Sequence, residues 1–409
     1  MTVLSTIATS DVVVVIRAPL EQYPPSLNQV ALLSRAGFRV TVVDTYHEDY
    51  KRYQFAPQDK IERIHAVEHT QNHKQTAPPR WERIRRAISF RRCVRRTIAN
   101  RKPAVVIAYD PNAMIAVGKI WQKQDAPKLI WHYHELFLPE QSGGGFFTKR
   151  AVQFAANNCQ HTDLVVFPDR ARSRVYKEKT NRDFNELIVM NCPARLDNLP
   201  NNRLGPRLAE LNVPTNTKVV FFQGWIGPSR CFEAIVESMK RWPTDSVLVL
   251  IGPVSDQYRI SLQDLGDQVG VGSRIFFLGT VPYQELMSWT VGADLGLAIV
   301  SDSVEKDLSW KFSAGAVNKR FEYMAVGVPQ IANQGPGMQE IIEDTGVGRL
   351  VDPNSPQEIG TEICELLSHE GECEQVSVRA RSVHESKYCY ERQFQPLLDR
   401  VQTWIQGPK

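Results

Sequence analysis

The chain has 409 residues, of which 42% are hydrophobic and 23% are charged, and its formal net charge is +4. This length and apolar content predict two domains that each bury a core of their own. The small net charge argues against a nucleic-acid-binding protein, and no apolar stretch is long enough to cross a membrane.

The seven cysteines are odd in number and scattered, and no two of them form a Cys-x-x-Cys pair. This usage is typical of a protein in a reducing compartment. The residues before the first apolar run carry no basic leader, so we expect a cytoplasmic protein.

Short apolar runs alternate with helical stretches through the first half of the chain. The pattern predicts a helix over 27–35 and buried strands at 12–16, 39–43, 105–108, 128–131 and 164–167. Strands that alternate with helices indicate a parallel sheet covered on both faces.

The segment 80–102 is strongly basic, with ten Lys and Arg residues against one acid, Glu82. Its apolar residues Trp81, Ile84 and Ile88 share one helical face. Such a helix predicts contact with an anionic membrane surface, where each cation contributes about 1 kcal/mol. The alternative is a surface helix whose apolar stripe packs on the sheet.

Histidines occur in two patterns. His65, His69 and His73 have the spacing of one helical face, but no clear pattern of carboxylates accompanies them, so we predict no metal site there. Residues 130–137 place His134 and Glu135 at the end of a strand. Taken alone, this pattern also suits a structural histidine bonded to backbone.

The second half of the chain repeats the alternation of strands and helices. We predict strands at 219–223, 247–251, 275–278 and 293–299, with a helix over 231–239. Ligands of parallel sheets bind outside the carboxyl ends of the strands, where Gly224 lies. Arg230 precedes the predicted helix and is suited to a diphosphate, or else is an exposed helix cap.

Residues 318–351 carry the most information. They predict a short helix (319–324), a strand after Pro329 and a Gly-Pro-Gly loop that begins at Gly335. The helix contains Lys319 and one acid, Glu322. A carboxylate can accept hydrogen bonds from two vicinal hydroxyls, although Glu322 could also be a solvated helix residue beside a buried Phe321 and Tyr323.

The run Asn-Lys-Arg-Phe-Glu-Tyr-Met-Ala-Val-Gly-Val-Pro resembles the donor-site signature of glycosyltransferase family 4, the retaining group 1 transferases. The segments around Gly224, 278–286 and 130–137 are similar to other motifs of this family. The resemblance implies the GT-B fold, an α/β fold in which two doubly wound Rossmann-like domains face each other across a cleft.

The resemblance also implies roles for individual residues. Glu322 would hold the ribose of a nucleoside diphosphate sugar, and His134 would contact the transferred sugar. Arg230 and Lys319 would hold the diphosphate, since the family needs no metal and the chain has no Asp-x-Asp pair. The remaining donor-binding residues would be Gly224, Gly335 and, in the base-contacting turn, Val281. We expect Glu135 to have a local structural role.

The domain organisation is also predicted. A stretch rich in Pro and Asn, 196–206, would be a hinge between an acceptor domain (1–195) and a donor domain (207–385). The terminal helix, 386–409, would return to the first domain.

These features together predict a metal-independent, retaining transferase that moves a hexose-type sugar to a glycan or lipid-linked acceptor, with no cofactor. We expect it in the cytoplasm or at the inner face of the membrane. Three departures from the family pattern, Trp225, Cys231 and Ala314, leave a non-catalytic nucleotide-sugar-binding homologue open. A nucleotide-sugar epimerase of the same fold is the other alternative.

Overall fold

The computed structural model describes residues 11–47, 52–69, 79–140, 145–301, 317–335 and 337–407. The chain divides into two compact units. The first unit comprises Met1–Asn191 with Gln393–Lys409, and the second unit comprises Cys192–Arg392.

The first unit contains a seven-stranded sheet whose described pairings are all parallel. Its strands are β1 (Asp11–Ile16), β2 (Arg39–His47), β3 (Ile61–His69), β4 (Val105–Tyr109), β5 (Lys128–His132), β6 (Leu164–Phe167) and β7 (Glu186–Ile188). The spatial order is β3-β2-β1-β4-β5-β6-β7, so the direction of winding reverses between β1 and β4. All five strands predicted in this half are confirmed.

Helices cover both faces of this sheet, as the α/β prediction required. They are α1 (Pro24–Arg35), α2 (Arg80–Arg101), α3 (Asp110–Val117), α4 (Phe146–Asn158) and α5 (Arg170–Thr180). The central strand β4 and residues 12–16 of β1 are uninterrupted apolar runs because both of their faces are buried under helices.

His65 and His69, whose spacing matches one face of a helix, lie instead in the strand β3. The segment is a strand that pairs with β2, so residues four apart lie roughly 13 Å from each other along the chain. His65 instead pairs with Asp44, whose Oδ1 lies 2.7 Å from its Nδ1. His73 and the side chain of His69 lie outside the described residues.

The second unit contains a six-stranded parallel sheet in the order β10-β9-β8-β11-β12-β13. Its strands are β8 (Lys218–Gln223), β9 (Ser246–Ile251), β10 (Ile275–Phe277), β11 (Leu295–Ala298), β12 (Gln330–Asn333) and β13 (Gly348–Val351). The winding reverses between β8 and β11. The strands predicted in this half are confirmed.

Helices accompany this sheet in the second unit, and an apolar core joins its strands to three of them, at 232–238, 256–268 and 356–368. The helices of the unit are α6 (Leu204–Glu210), α7 (Phe232–Ser238), α8 (Asp256–Gln268), α9 (Tyr283–Thr290), α10 (Asn318–Val326), α11 (Pro356–Ser368) and α12 (Glu370–Val383). The stretch 196–206, expected as a hinge, lies in this unit, and its last residues begin α6.

The last helix, α13 (Tyr390–Gln406), belongs to the first unit from Gln393 onward. Its Gln393 Oε1 accepts a hydrogen bond from the Met190 backbone, and Lys128 Nζ lies 5.8 Å from the Trp404 ring centroid. Among the described residues, none of the helices is both long and apolar enough to cross a bilayer.

Candidate active site

Glycine loops follow β8, β9 and β10 at the carboxyl edge of the second sheet, and they bind one another through backbone. Gly224 N donates to Ile251 O at 2.9 Å, and Gly252 N donates to Gly279 O at 2.8 Å. Gly224 and Gly252 have φ of 112° and 146°, and a Cβ at Gly252 would overlap the Gly224 carbonyl oxygen. Glycine is therefore required for this close approach of the loops.

Glu322 is held in the interior beside these loops, where only 4% of it is exposed. Gln223 Nε2 donates to Glu322 Oε2 at 2.6 Å, and Thr290 Oγ1 donates to Gln223 Oε1 at 2.6 Å. The Tyr283 hydroxyl also bonds to the carboxylate. The alternative interpretation of Glu322 as a solvated helix residue is therefore wrong.

This environment changes the ionisation of Glu322. Burial raises its pKa to about 7, and the hydrogen bond from Gln223 and the charge of Lys319 oppose that rise. The carboxyl group therefore titrates near neutral pH. A buried acid with specific polar partners at the edge of a parallel sheet is a typical functional group.

Two cations belong to this cluster, because the charge of Lys319 acts on Glu322 and the charge of Arg230 acts on Lys319. Lys319 Nζ is 3.5 Å from the Phe222 ring centroid and 3.5 Å from the position that a Gly224 Cβ would occupy. Arg230 is 8% exposed, so the interpretation of Arg230 as an exposed cap is wrong. Burial lowers the pKa of Lys319 and the charge of Arg230 lowers it further, whereas Glu322 raises it. This cluster of like and unlike charges favours an anionic ligand.

The loop between β8 and α7 places Arg230. The residue ends a short 3-10 turn, and Ser301 N, just after β11, donates to Ser229 O at 2.9 Å. The loop is thus tied to the point where the winding of the sheet reverses. Cys231 adopts the left-handed φ of 55° at the position where the family pattern has glycine, and this backbone is strained for a residue with a Cβ. The indole of Trp225 lies over Gly227.

The other residues expected to bind a donor lie on neighbouring loops of the same edge. Val281 is half-buried in the loop before α9, two residues from Tyr283. Gly335 follows β12, and its carbonyl oxygen accepts from Met338 N at 3.0 Å. Ala314 and Pro336 lie outside the described residues.

Four polar residues of this site were missed by the sequence analysis. Three of them, Gln223, Tyr283 and Thr290, hold Glu322 directly or through one neighbour. The fourth, Asn333, joins two strand ends to α10, since its Oδ1 accepts from Val300 N at 3.1 Å and from Arg320 at 3.2 Å. A signal was present for Gln223, because a polar residue ended an otherwise apolar strand.

His134 lies in the first unit, where neighbouring side chains surround it and leave it 3% exposed. Its Nδ1 is 2.9 Å from Asp110 Oδ2, and its Nε2 is 2.8 Å from Ser26 Oγ. The ring stacks on Tyr23 and Tyr109 at centroid distances of 4.1 and 4.6 Å. The sequence analysis missed Asp110, which has φ of 58° and begins α3.

The neighbour of His134 is oriented differently. Glu135 is largely exposed and pairs with Arg172 at 3.0 Å, and Arg172 also donates to the His134 carbonyl oxygen at 3.3 Å.

Of the predicted site residues, the structure brings Glu322, Lys319, Arg230 and Gly224 together in the second unit. Within the described ranges, no group of three or more His, Cys, Asp or Glu side chains could hold a metal ion.

Two family models match the chain. Residues 27–190 match Glycosyltransferase Family 4, and residues 208–383 match Glycosyl transferases group 1. Together the two models cover most of the sequence and the sheets of both units.

The chain is also similar in sequence to known glycosyltransferases. A D-inositol 3-phosphate glycosyltransferase of Corynebacterium urealyticum is 26% identical over 46% of this chain, and the match spans less than half, 44%, of that protein. A lipopolysaccharide 1,2-N-acetylglucosaminetransferase of Salmonella typhimurium is 23% identical over 76% of each chain.

Solved structures share the fold at low identity. Sucrose-phosphate synthase from Thermosynechococcus elongatus has a TM-score of 0.74 at 16% identity, covering 98% of this chain and 100% of its own. The Anabaena protein HepE, solved with UDP-glucose, has a TM-score of 0.72 at 15% identity, covering 96% of this chain and 100% of its own. The chain belongs to the group 1 glycosyltransferases, with two Rossmann-like domains of the GT-B type.

Proposed function

We propose that this protein is a retaining hexosyltransferase that transfers a sugar from a nucleoside diphosphate to a glycan or lipid-linked acceptor without a metal ion. The observation that carries the proposal is the buried carboxyl group of Glu322 beside Lys319 and Arg230, at the edge of the second sheet where its winding reverses. Nucleotides bind at such reversal points of parallel sheets.

Each group in this cluster suits one part of a nucleotide sugar. Glu322 presents two acceptor oxygens to the ribose hydroxyls, and Lys319 and Arg230 present donors to the diphosphate. Gly224 has no side chain, so phosphate can approach the backbone closely. Val281 would contact the base, and Gly335 would lie beside the sugar.

Transfer requires stabilisation of the charge that develops on the departing diphosphate. Two cations fixed in a low-dielectric site can supply this stabilisation without a metal. The departing phosphate itself would help to remove the acceptor proton, so we assign no general base. We expect the reaction in the cytoplasm or at the inner face of the membrane.

His134 would hold a hydroxyl of the transferred sugar. The Asp110 carboxyl group bonds to His134 Nδ1 and fixes the orientation of the ring, so Nε2 is the ring nitrogen that would meet the sugar. Ser26 Oγ lies 2.8 Å from Nε2 in this structure and would give way to a sugar hydroxyl.

The choice of nucleotide follows from the relatives. HepE was solved with UDP-glucose, and the Salmonella typhimurium relative is an N-acetylglucosaminetransferase. We therefore propose a UDP-hexose as the first donor to test.

Calorimetric binding of UDP, GDP and their sugars, with a chelator present, tests the donor site. We expect one nucleotide to bind the wild type and Glu237→Ala equally, since Glu237 is exposed on α7, and to bind Glu322→Ala far more weakly. Equal binding to a folded Glu322→Ala protein would remove the assignment of Glu322. Binding without turnover of any sugar nucleotide would favour the non-catalytic alternative, and turnover without an acceptor would favour the epimerase.

A further inference from the structure

A cavity of about 300 Å³ lies in the first unit, against α2 and α3. Apolar side chains of these two helices, among them Ile84, Ala87 and Ile115, form much of its wall. Three arginines, Arg17, Arg91 and Arg150, also line it, and no acid is among the lining residues that the structure describes. The cavity therefore combines an apolar wall with a cationic rim.

The cavity lies where ligands of such sheets bind. Arg17 directly follows β1, and Asn112, another lining residue, lies in the first turn of α3, which directly follows β4. The winding of the first sheet reverses between β1 and β4, which makes this the crevice at the carboxyl ends of the strands. Asp110, the partner of His134, begins the same helix α3.

Among the residues that the structure describes, the positive charge in the cavity has no carboxylate to neutralise it. Arg17 lies 5.9 Å from the Phe90 ring centroid, and burial lowers its pKa. Among the described residues, no carboxylate pairs with Arg17, Arg91 or Arg150. Arg17 is half-buried, whereas Arg91 and Arg150 are exposed. A partly buried cation without an acid carries a desolvation cost, which an anionic ligand would offset.

The surface around the cavity is unusually apolar for a basic face. Trp81, Ile88 and Phe146 are 63%, 45% and 60% exposed. Ile88 also lines the cavity, so the apolar wall continues to the surface. The start of α4 at Gly145 lies against Arg83 of α2, which brings Phe146 to the same face. An apolar patch set among arginines is typical of a surface that meets anionic lipid.

We propose that this cavity binds an amphiphile that carries a phosphate headgroup and a single apolar chain. Arg17 would hold the phosphate, and the chain would lie along Ile84, Ala87 and Ile115. The cavity is at the lower end of the size range of small-molecule sites, roughly 300–1,000 Å³, so it would hold only the part of the chain nearest the headgroup. The further statement that this amphiphile is the sugar acceptor rests on the proposed function.

Decyl phosphate below its micellar concentration is the probe, and its binding is measured by calorimetry. Arg17→Gln removes the headgroup partner, and Ala87→Phe fills the cavity without changing the charge. The matched control is Arg85→Gln. Arg85 is exposed on α2, the helix that carries Ala87, and it is not among the residues that line the cavity. Thermal unfolding of each variant confirms that the first unit is folded.

We expect decyl phosphate to bind the wild type and Arg85→Gln equally, and to bind Arg17→Gln about tenfold or more weakly, the cost of a lost charge-assisted hydrogen bond. Ala87→Phe should also bind weakly, and inorganic phosphate should bind the wild type less tightly than decyl phosphate. Equal losses in Arg17→Gln and Arg85→Gln would show attraction by the positive surface charge alone and would overturn the proposal. Undiminished binding to Ala87→Phe would overturn it as well.

Glu322→Ala separates this inference from the proposed function, because Glu322 lies in the other unit. The variant should bind decyl phosphate like the wild type. If decyl phosphate binds as expected but no sugar is transferred to a polyprenyl phosphate in vesicles, the acceptor assignment fails and the binding site stands. If a nucleotide sugar is consumed with soluble acceptors while decyl phosphate does not bind, the cavity proposal fails alone.

Discussion

At the scale of single residues, the candidate site depends on two buried groups of opposite charge whose pKa values are shifted toward neutrality. Burial raises the pKa of Glu322 and lowers that of Lys319, so burial disfavours the charged form of both groups. A nucleotide sugar would favour both charged forms, because it brings further hydroxyl donors to the carboxylate and oxyanions to the ammonium group. Donor binding should therefore change the protonation of the site.

Proton release upon UDP binding is the first prediction. Ribose hydroxyls bond best to the ionised carboxylate, so binding should lower the pKa of Glu322 from about 7, and affinity should rise as pH increases through 7. Calorimetry in buffers with different ionisation enthalpies measures the protons exchanged. Comparing the wild type with Glu322→Gln isolates the contribution of Glu322 to the proton count, because Lys319 is present in both proteins. An identical proton count in wild type and variant would contradict the prediction.

Lys319→Met should distinguish the contribution of the diphosphate to binding affinity from that of the nucleoside. Methionine fills a similar volume without the charge, so affinity for UDP should fall about tenfold or more while affinity for uridine stays the same. Glu322→Gln serves as the contrasting variant, since it should weaken UDP and uridine alike. Loss of uridine binding in Lys319→Met would indicate structural damage instead.

At the scale of elements, α10 shows why the site was only partly predictable. Its acid and its lysine were found because a family motif marked them, but every residue from Lys319 to Val326 is buried, which no amphipathic pattern indicates. The strands were predictable because buried parallel strands are continuous apolar runs. Two edge strands were missed. The strand β3 contains many polar residues, and β7 is only three residues long. Asp110, Gln223 and Thr290 were missed because their partners are distant in sequence.

The chain of hydrogen bonds from α9 to α10 can be tested at Thr290. Thr290→Val keeps the shape but leaves Gln223 Oε1 without its donor, which should lower the free energy of unfolding by about 1–3 kcal/mol and weaken UDP binding. Urea unfolding and calorimetry measure the two effects. Thr345→Val is the control, since Thr345 bonds only to carbonyl groups of its own helical turn. Equal effects of the two substitutions would argue against the network.

At the scale of the whole molecule, the two units differ in how the chain builds them. The second unit is one continuous segment with its own sheet and core, and it contains the whole Glu322 cluster. The first unit is completed by the distant residues of α13. The units should therefore differ when they are produced separately.

Residues 192–392 produced alone should fold and bind UDP. Residues 1–191 alone should be unstable, because the surface that α13 covers would be exposed, and addition of a peptide of 393–409 should stabilise them. Thermal unfolding with and without UDP, or with and without the peptide, measures both outcomes. A folded 192–392 fragment that does not respond to UDP would contradict the location of the nucleotide site.

The place of α13 also has a consequence during synthesis on the ribosome. Domains usually fold in the order in which they emerge, with the N-terminal domain first. Here the first sheet emerges early but must wait for 393–406, which follows the entire second unit. The nucleotide-binding half can therefore reach its native state before the half that begins the chain. Until then, the nascent first unit exposes the apolar surface that α13 will cover, and this is the stage at which a chaperone would be needed.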